Sequence, residues 1–343
     1  MTQKMNKQLI VILGMHRSGT SAITRGLKAL GVDLGDHLMQ AISGNNDKGF
    51  WEDLDIYAFN NELLNCISHD WHSNVPITQS EFDRKDLSSL RQRAVELLRQ
   101  KTQSASVFGI KNPHIARLLP FWKKIFDQVG LDAGYVITVR HPMSVAQSLK
   151  KRDGFDVEKS YYLWLGHVVP SILESEGHPR VVVNYDLLMD HPEEQLLRIA
   201  QQINLTNESI NAHVLEEYKN DFLEEGLRHT RFRPEDLMHD PAVPKDVMEA
   251  YDALERLARD ELSVDTPEVH DTFTQLNQRL RDISPALKCM TNLEGRLAER
   301  DGQITCLLQT MTERDRQINH MIRSWSWRLT RPLRLIAWLA RYE

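Results

Sequence analysis

The chain has 343 residues, of which 41% are hydrophobic, enough for the core of one large domain or of a domain with an appendage. The formal net charge of −6 argues against a general nucleic-acid binder, so any cationic site must be local. A mostly polar start leads directly into an apolar strand, and no run of about 18 apolar residues follows; we therefore expect neither a secretory signal nor a membrane-spanning helix, and predict a cytoplasmic protein. The three cysteines, Cys66, Cys289 and Cys306, fit a reducing compartment and provide neither a disulfide framework nor a zinc site.

The first predicted element is a buried strand followed by a loop between two glycines. Leu9 to Gly14 is mostly apolar, and the loop from Gly14 to Gly19 leads into a helical pattern over 22–30. Backbone N–H groups and a helix N-terminus at such a loop favour a bound phosphate or sulfate. The spacing matches a Walker A loop except that Thr20 replaces the lysine, which argues against ordinary ATP hydrolysis and leaves Arg17 as the loop cation. A glycine turn that serves only tight packing is the alternative.

Strands and helices then alternate along the chain. A loop containing Gly and Asn precedes a helix that Asp53 or Asp55 caps, and the partly aromatic segment 69–81 suits an acceptor loop as well as a plain connection. Further strands are predicted at 107–111, 135–140 and 181–185, and helices at 86–100, at 114–129 and from the His-Pro pairs at 141–142 and 191–192. This alternation predicts an α/β fold with a mostly parallel sheet flanked by helices.

Three cations follow predicted strands. Arg17, Lys111 and Arg140 each lie at or just beyond the carboxyl end of a strand, where ligands bind in sheets of this kind. Each alone has the alternative of an ordinary solvated charge. Their coincidence at one edge of the sheet predicts a site for a multiply anionic ligand.

The last hundred residues read as helical and charge-rich, with a heptad pattern near the end. Apolar residues recur every seven positions, and companion positions are apolar except at Arg300 and Arg314; the series is Met290, Leu297, Ile304, Met311, Ile318 and Trp325, with Leu293, Leu307 and Met321 as companions. The pattern predicts a coiled coil over 288–325 and contact between two copies of the chain. A single helix that packs along its own domain is the alternative.

The final segment, 326–343, mixes tryptophan, arginine and aliphatic residues and has no acidic residue before Glu343. It is too short to span a bilayer but fits an amphipathic helix on an anionic inner membrane face, so we expect peripheral membrane contact; docking on the protein core is the alternative. The predicted organisation is an α/β domain over 1–245, a helical connection over 246–287, the coiled coil and this tail.

Five segments in this order resemble the motifs of the bacterial sulfotransferase family, over about residues 8 to 205. They are Gly14 to Ser21, Lys48 to Asp53, Gly109 to Pro113, Val139 to Ser148 and Asn184 to Leu188. The resemblance implies a sulfotransferase-like fold of the P-loop type and the donor 3′-phosphoadenosine-5′-phosphosulfate (PAPS). It does not extend to the helical tail.

The resemblance also implies roles for individual residues. The first loop would hold the 5′-phosphosulfate through Gly14, His16, Arg17, Ser18, Gly19, Thr20 and Ser21. Arg17 would stabilise charge on the bridging oxygen during transfer. An arginine at a strand end with a serine eight positions later is the 3′-phosphate motif, which Arg140 and Ser148 match; Ser144 lies one turn closer and is a further candidate.

For the catalytic base, the family offers a carboxylate after the first helix, which predicts Glu52, with Asp47, Asp53 and His16 as alternatives. Lys111 would neutralise a transferring sulfate oxygen, unless it is a solvated lysine. The reaction needs no metal and no nucleophilic side chain. The expected acceptor is a hydroxyl or amine on a glycan, a lipid-linked sugar or a small metabolite, not a nucleic acid.

Two other functions are compatible with the sequence. One is a P-loop small-molecule kinase that uses Mg-ATP, which the missing loop lysine disfavours. The other is a non-enzymatic coiled-coil membrane adaptor that retains a degenerate nucleotide fold.

Overall fold

The described residues form one parallel sheet of four strands in the order β2-β1-β3-β4. The strands are β1 (Lys7–Leu13), β2 (Val107–Lys111), β3 (Leu131–Val139) and β4 (Arg180–Asn184). Val11 of β1 lies opposite Ile110 on one side and Tyr135 on the other. All strands are parallel, so their carboxyl ends lie at one edge, as the alternation of elements predicted.

This computed structural model describes residues 7–42, 46, 48–205, 211–223 and 230–340. The chain divides into two units, Met1–Pro285 and Ala286–Glu343. The helices are α1 (Thr20–Leu27), α2 (Leu54–Cys66), α3 (Gln79–Phe82), α4 (Ser88–Lys101), α5 (Ile115–Val129), α6 (Pro142–Asp153), α7 (Val157–Glu174), α8 (Tyr185–Asp190), α9 (Pro192–Gln202), α10 (Ala212–Glu217), α11 (Asp236–His239), α12 (Lys245–Ala258), α13 (Pro267–Asp282), α14 (Ser284–Arg323), α15 (Trp325–Leu329) and α16 (Arg331–Leu339).

The two faces of β1 contribute to different hydrophobic cores. Leu9, Val11 and Leu13 pack with α2, α4, α5, α7, α12 and α13, whereas Ile10 and Ile12 pack with α1, α9 and α10. Successive residues of a strand point to opposite faces, so a strand covered on both sides must be apolar at every position. The predicted buried first strand is therefore confirmed by its packing.

Two local signals in the sequence fix the start of helices that border the site. Asp53 caps α2, because its Oδ1 accepts hydrogen bonds from the backbone N–H groups of Asp55 (3.0 Å) and Ile56 (3.1 Å). Pro142 occupies the first turn of α6, where a missing N–H costs nothing. The chain thus turns directly from the end of β3 into α6, which places Arg140 at the carboxyl edge of the sheet.

Two helices after residue 245, α12 and α13, belong to the first compact unit. The segment predicted as a helical connection, 246–287, contains α12 and α13, whose apolar faces lie in the larger core through Val247, Leu254 and Phe273. The first compact unit ends at Pro285, and the boundary predicted for the α/β domain, residue 245, lies within this unit. The periodicity of the sequence predicts that α12 and α13 are helices, but it does not tell which surface their apolar faces cover.

The second unit consists of most of α14 together with α15 and α16. The helix α14 is continuous to Arg323, and Ser324 then caps α15 by accepting a hydrogen bond from Trp327 N at 3.3 Å. Trp325, the last residue of the predicted heptad series, therefore lies outside the continuous helix. No helix in the described part of the chain is both long and apolar enough to cross a membrane.

Candidate active site

One pocket at the carboxyl edge of the sheet brings together most of the predicted site residues. Its lining comes from the loop after β1, from the segment before α2, from the ends of β2 and β3, and from later helices; the residues are His16, Arg17, Gly19, Thr20, Ser21, Ala22, Asn46, Lys48, Phe50, Glu52, Lys111, Pro113, Arg140, Arg152, Tyr185 and Phe222. Cations outnumber carboxylates in this set. The pocket therefore has the charge of an anion-binding site.

The loop after β1 needs its two glycines for steric reasons. Gly14 has φ of +143°, and a Cβ there would lie 2.8 Å from the carbonyl oxygen of Thr138. Gly19 has φ of +86°, and a Cβ there would lie 2.0 Å from a ring atom of Tyr185. A side chain at either position would therefore force the loop away from β3 or α8. The glycines let the loop approach both neighbours at the start of α1.

Arg17 lies in contact with both Ser148 and Arg140. Arg17 Nε donates a hydrogen bond to Ser148 Oγ (2.7 Å), and Arg140 NH1 donates one to the carbonyl oxygen of Arg17 (3.2 Å). The Arg140 guanidinium lies 4.6 Å from the centre of the Tyr185 ring. Burial, followed by repulsion from Arg152 and Arg140, lowers the pKa of Arg17. A bound anion would relieve this crowding of positive charges.

Two further serines of the predicted phosphate site are buried. Ser18 belongs to the loop, and Ser144 lies on α6 one turn before Ser148. Neither hydroxyl has a hydrogen-bond partner among the described residues. Neither residue lines the pocket.

Glu52 and Lys111, which both line the pocket, form a buried ion pair. Lys111 Nζ lies 2.7 Å from Glu52 Oε1 and donates further hydrogen bonds to the carbonyl oxygen of Phe50 (2.9 Å) and to Ser21 Oγ (3.3 Å). Both side chains are almost completely buried, at 3% and 6% exposure. The pair ties the segment before α2 to the end of β2 and to the start of α1.

A chain of side-chain hydrogen bonds holds the other oxygen of Glu52. Asn112 Nδ2 donates to Glu52 Oε2 (2.7 Å), and Asn60 Nδ2 donates to Asn112 Oδ1 (2.9 Å). Trp122 Nε1 completes the chain by donating to Asn60 Oδ1 (2.9 Å). The carboxylate is therefore fixed in orientation by residues of β2's end, α2 and α5.

The three alternative bases have different surroundings. Asp53 Oδ1 caps α2 and Asp53 Oδ2 forms an ion pair with Lys101 (2.7 Å), so both carboxylate oxygens already have structural partners. His16 lines the pocket, and its ring lies 4.9 Å from that of Trp71; burial lowers its pKa well below the usual value. Asp47 lies outside the described residues.

Several lining residues received no role from the sequence. Lys48, Phe50 and Tyr185 lie inside segments that carried the family resemblance, so their positions could have been inferred. Arg152 had no such signal, because it follows Lys150 and Lys151 at the charged end of α6. Asn112 does not line the pocket and lies inside the segment Gly109 to Pro113 that carried the resemblance, but its hydrogen bonds with Glu52 and Asn60 join distant elements and could not be read from the sequence. Within the described ranges, no group of three or more His, Cys, Asp or Glu residues is placed to hold a metal ion.

Comparisons with known proteins identify a family for the chain. The family model described as "Sulfotransferase family" matches residues 9–209, more than half of the chain. A solved structure described as "Sulfotransferase Domain from the Synechococcus PCC 7002 Olefin Synthase" matches at 17% identity, over 80% of this chain and 94% of that one, with a TM-score of 0.36. No curated protein sequence matches the chain.

Proposed function

The chain belongs to the sulfotransferase family, and we propose that it transfers a sulfuryl group from PAPS to a hydroxyl or amine of an acceptor. The observation that carries this proposal is the sharing of one pocket by Arg17, Arg140 and the Glu52–Lys111 pair. A doubly phosphorylated donor needs two anion sites, and transfer to a hydroxyl needs a base beside one of them. The pocket supplies all three.

For the donor, we assign the loop from Gly14 to Ser21 and the N-terminus of α1 to the phosphosulfate. Arg140 and Ser148 take the 3′-phosphate, for which a guanidinium provides a planar pair of donors. The hydrogen bond from Arg17 to Ser148 joins these two sites directly. Phe222 offers an aromatic face to the purine base from the same pocket.

For the transfer step, Glu52 accepts the proton of the acceptor hydroxyl as the oxygen forms its bond to sulfur. The bond between sulfur and the bridging oxygen of the phosphosulfate breaks, and that oxygen keeps the electron pair. The products are the sulfated acceptor and 3′-phosphoadenosine-5′-phosphate. Arg17 and Lys111 stabilise the negative charge that develops on the leaving phosphate and on the sulfuryl oxygens.

The ion pair gives Lys111 a second role in this proposal. In the structure the ammonium group of Lys111 contacts Glu52 Oε1 at 2.7 Å and so occupies the oxygen that would accept the proton. A bound sulfonate beside Ser21 would compete for the same ammonium group. Donor binding would then free Glu52 to accept a proton, so the base becomes active only when there is a group to transfer.

For the acceptor, we propose a carbohydrate, either a glycan or a lipid-linked sugar. Aromatic and cationic side chains border the pocket beside His16: Trp71 contacts the His16 ring, and the Arg152 guanidinium lies 5.2 Å from the centre of the Trp71 ring. Flat rings and fixed donors in this combination suit the faces and hydroxyls of a sugar. A small hydroxylated metabolite is the other acceptor that this site would admit.

Ligand-induced thermal stabilisation tests the donor. We expect 3′-phosphoadenosine-5′-phosphate to raise the melting temperature of the full chain without magnesium, because two anion sites bind it. Stabilisation by Mg-ATP alone would reject the sulfotransferase proposal in favour of a kinase. Incubation of cell glycans and lipids with labelled PAPS, compared with a Glu52→Gln control, then identifies the acceptor.

A further inference from the structure

The long helix α14 carries exposed apolar residues in two rows along a mostly polar surface. Met290, Leu297, Ile304, Met311 and Ile318 occupy the first row, and they are between 47% and 61% exposed. The second row, three residues further along, contains Leu293, Leu307 and Met321 with Arg300 and Arg314 between them. We call these two rows the seam; in heptad notation they are the a and d positions.

The spacing of the seam indicates what covers it. An ideal straight helix has 3.6 residues per turn, so a strict seven-residue repeat drifts by about 20° per heptad and by about 80° between Met290 and Ile318. A flat surface, such as a membrane or the side of a domain, would leave part of such a row uncovered. A second helix that supercoils with α14 keeps the whole row buried.

The interruptions of the seam have a regular pattern of their own. Arg300 is followed by Asp301, and Arg314 by Asp315, so a cation at d is twice followed by an acid at e, two heptads apart. In a parallel, in-register pair, the hole that receives a d side chain includes the d and e residues of the facing helix. Each arginine would then meet the aspartate of the other copy, which offsets the repulsion between the two arginines.

We propose that α14 pairs with α14 of a second copy of the chain as a parallel, in-register, two-stranded coiled coil. The apolar seam supplies the affinity, and the Arg300–Asp301 and Arg314–Asp315 pairs set the register and direction. A polar residue at a core position is a known means of fixing register at some cost in stability. Leucine at d with isoleucine at a, as at Leu307 and Ile304, favours two strands. This proposal does not depend on the enzymatic one.

The mass of the full chain in solution tests the pairing. We expect light scattering after size exclusion to give the mass of two chains, and Ile304→Glu to give one. The matched control is Gln309→Glu, on the outer face of the same helix, which should leave two. One chain in the wild type, three or more chains, or a dimer that survives Ile304→Glu would each overturn the proposal. Unchanged circular dichroism verifies that the variants remain folded.

Engineered cysteines test the direction. In a chain whose native cysteines are replaced by serine, Leu307→Cys would face its own copy only in a parallel, in-register pair, and mild oxidation should then link nearly all of the protein. Gln309→Cys on the outer face should remain unlinked. Absence of the Leu307→Cys product, with two chains still present by mass, would indicate an antiparallel pair and overturn the proposed direction.

Charge changes test the role of the arginines. Asp301→Lys with Asp315→Lys should weaken the dimer, because each arginine would then face a like charge. Arg300→Leu with Arg314→Leu should instead tighten it by filling the seam. If the lysine variant dissociates no more readily on dilution than the wild type, the two pairs do not set the register.

Discussion

Glu52 provides the most direct test of the proposed reaction at the scale of a single residue. Glu52→Gln removes the proton acceptor but keeps the shape, and its amide oxygen still accepts the hydrogen bond of Lys111. We expect turnover to fall by about 10² or more, the usual effect of losing a general base, while the affinity for 3′-phosphoadenosine-5′-phosphate stays nearly the same. Single-turnover rates and nucleotide titration measure the two effects.

The control for this prediction is the alternative base that lines the same pocket. His16→Gln keeps a polar side chain there and should lower turnover less than Glu52→Gln does. Near-normal turnover in Glu52→Gln, together with a large loss in His16→Gln, would move the role to His16.

A substitution of Arg140 tests whether this residue binds the 3′-phosphate of the nucleotide and not its 5′-phosphate. Arg140→Ala should weaken binding of 3′-phosphoadenosine-5′-phosphate by at least tenfold, because a charge-assisted bond to phosphate contributes about 1.5–3 kcal/mol. Binding of adenosine 5′-phosphate, which lacks the 3′-phosphate, should change little. Calorimetric titration of both nucleotides measures the difference. Equal losses for both nucleotides would remove Arg140 from the 3′-phosphate site.

The sequence allowed single residues to be placed at the edge of the sheet, but it did not predict the contacts between their side chains. It placed Arg17, Lys111 and Arg140 at one edge because strand ends and charges are readable from the order of residues. It treated the Arg17 loop and Ser148 as separate phosphate sites, whereas the two side chains are in contact at 2.7 Å. It gave Lys111 to the sulfate and missed its pairing with Glu52. Contacts of this kind depend on distances between side chains of remote segments, which spacing along the chain does not encode.

At the scale of elements, the hydrogen-bonded chain from Trp122 to Glu52 connects α5, α2 and the end of β2. Asn60, in the middle of this chain, is fully buried; its amide nitrogen donates to Asn112 and its amide oxygen accepts from Trp122. In Asn60→Asp the side chain keeps its acceptor for Trp122 but presents a second acceptor to Asn112. The Asn112 amide is then expected to turn, so that its oxygen instead of its nitrogen faces Glu52.

We predict from this that Asn60→Asp lowers kcat about tenfold without changing the nucleotide affinity, and moves the acid limb of the pH–rate profile to higher pH. The direction follows because a carboxylate that loses a hydrogen-bond donor holds a proton more readily. A purely structural role for Asn60 would lower stability and leave the profile unmoved. Asn65→Asp, on the exposed end of α2, is the control.

The elements themselves were largely predictable, with an instructive exception. All strands were found because they are short apolar runs between turn residues, and the His-Pro pairs marked the starts of α6 and α9. No helix was predicted at α7, which contains Pro170 and is buried on most sides through Tyr161, Trp164 and Val168. A helix covered all round has no polar face, so the periodicity that identifies surface helices is weak there.

At the scale of the whole molecule, a parallel coiled coil would bring two copies of the tail to the same end. In α16, Leu333, Ile336 and Trp338 are between 60% and 66% exposed, and Arg331 and Arg334 lie among them. An apolar and cationic helix of this kind suits the surface of an anionic membrane. We expect the full chain to sediment with vesicles containing phosphatidylglycerol and not with neutral vesicles.

Two copies of the tail should bind such vesicles far more tightly than one, because the second contact is intramolecular. Ile304→Glu, which separates the copies, should therefore weaken vesicle binding, although it lies outside the tail. The matched control Gln309→Glu adds the same charge and should not. Equal weakening by both variants would attribute the effect to charge and not to pairing.

The stability of the first unit should depend on pH, because three histidines are buried near the site. His114 follows β2, His167 lies on α7 and His16 lies in the loop after β1; the rings of His114 and His167 are 5.5 and 6.2 Å from that of His16. Burial lowers the pKa of His114 to about 4 and that of His167 to about 3. These imidazoles are therefore neutral in the folded protein well below the pH at which they are charged in an unfolded chain.

Acidification should consequently favour the unfolded chain, which binds protons at these histidines below about pH 6.5 while the folded chain does not until about pH 4. Each contributes about 1.4 kcal/mol per pH unit once the pH is well below 6.5, and because the unfolded histidine is only half protonated at pH 6.5, His114 and His167 together should lower the free energy of unfolding by about 3 kcal/mol between pH 6.5 and 5. Urea titrations followed by the fluorescence of the buried Trp122 and Trp164 measure this. His16 and His141, whose pKa values burial also lowers, add to the dependence, so His167→Gln should remove only its own share of about 1.6 kcal/mol over this interval. The exposed control His213→Gln should remove none, and an unchanged slope in His167→Gln would mean that this imidazole is protonated in the fold.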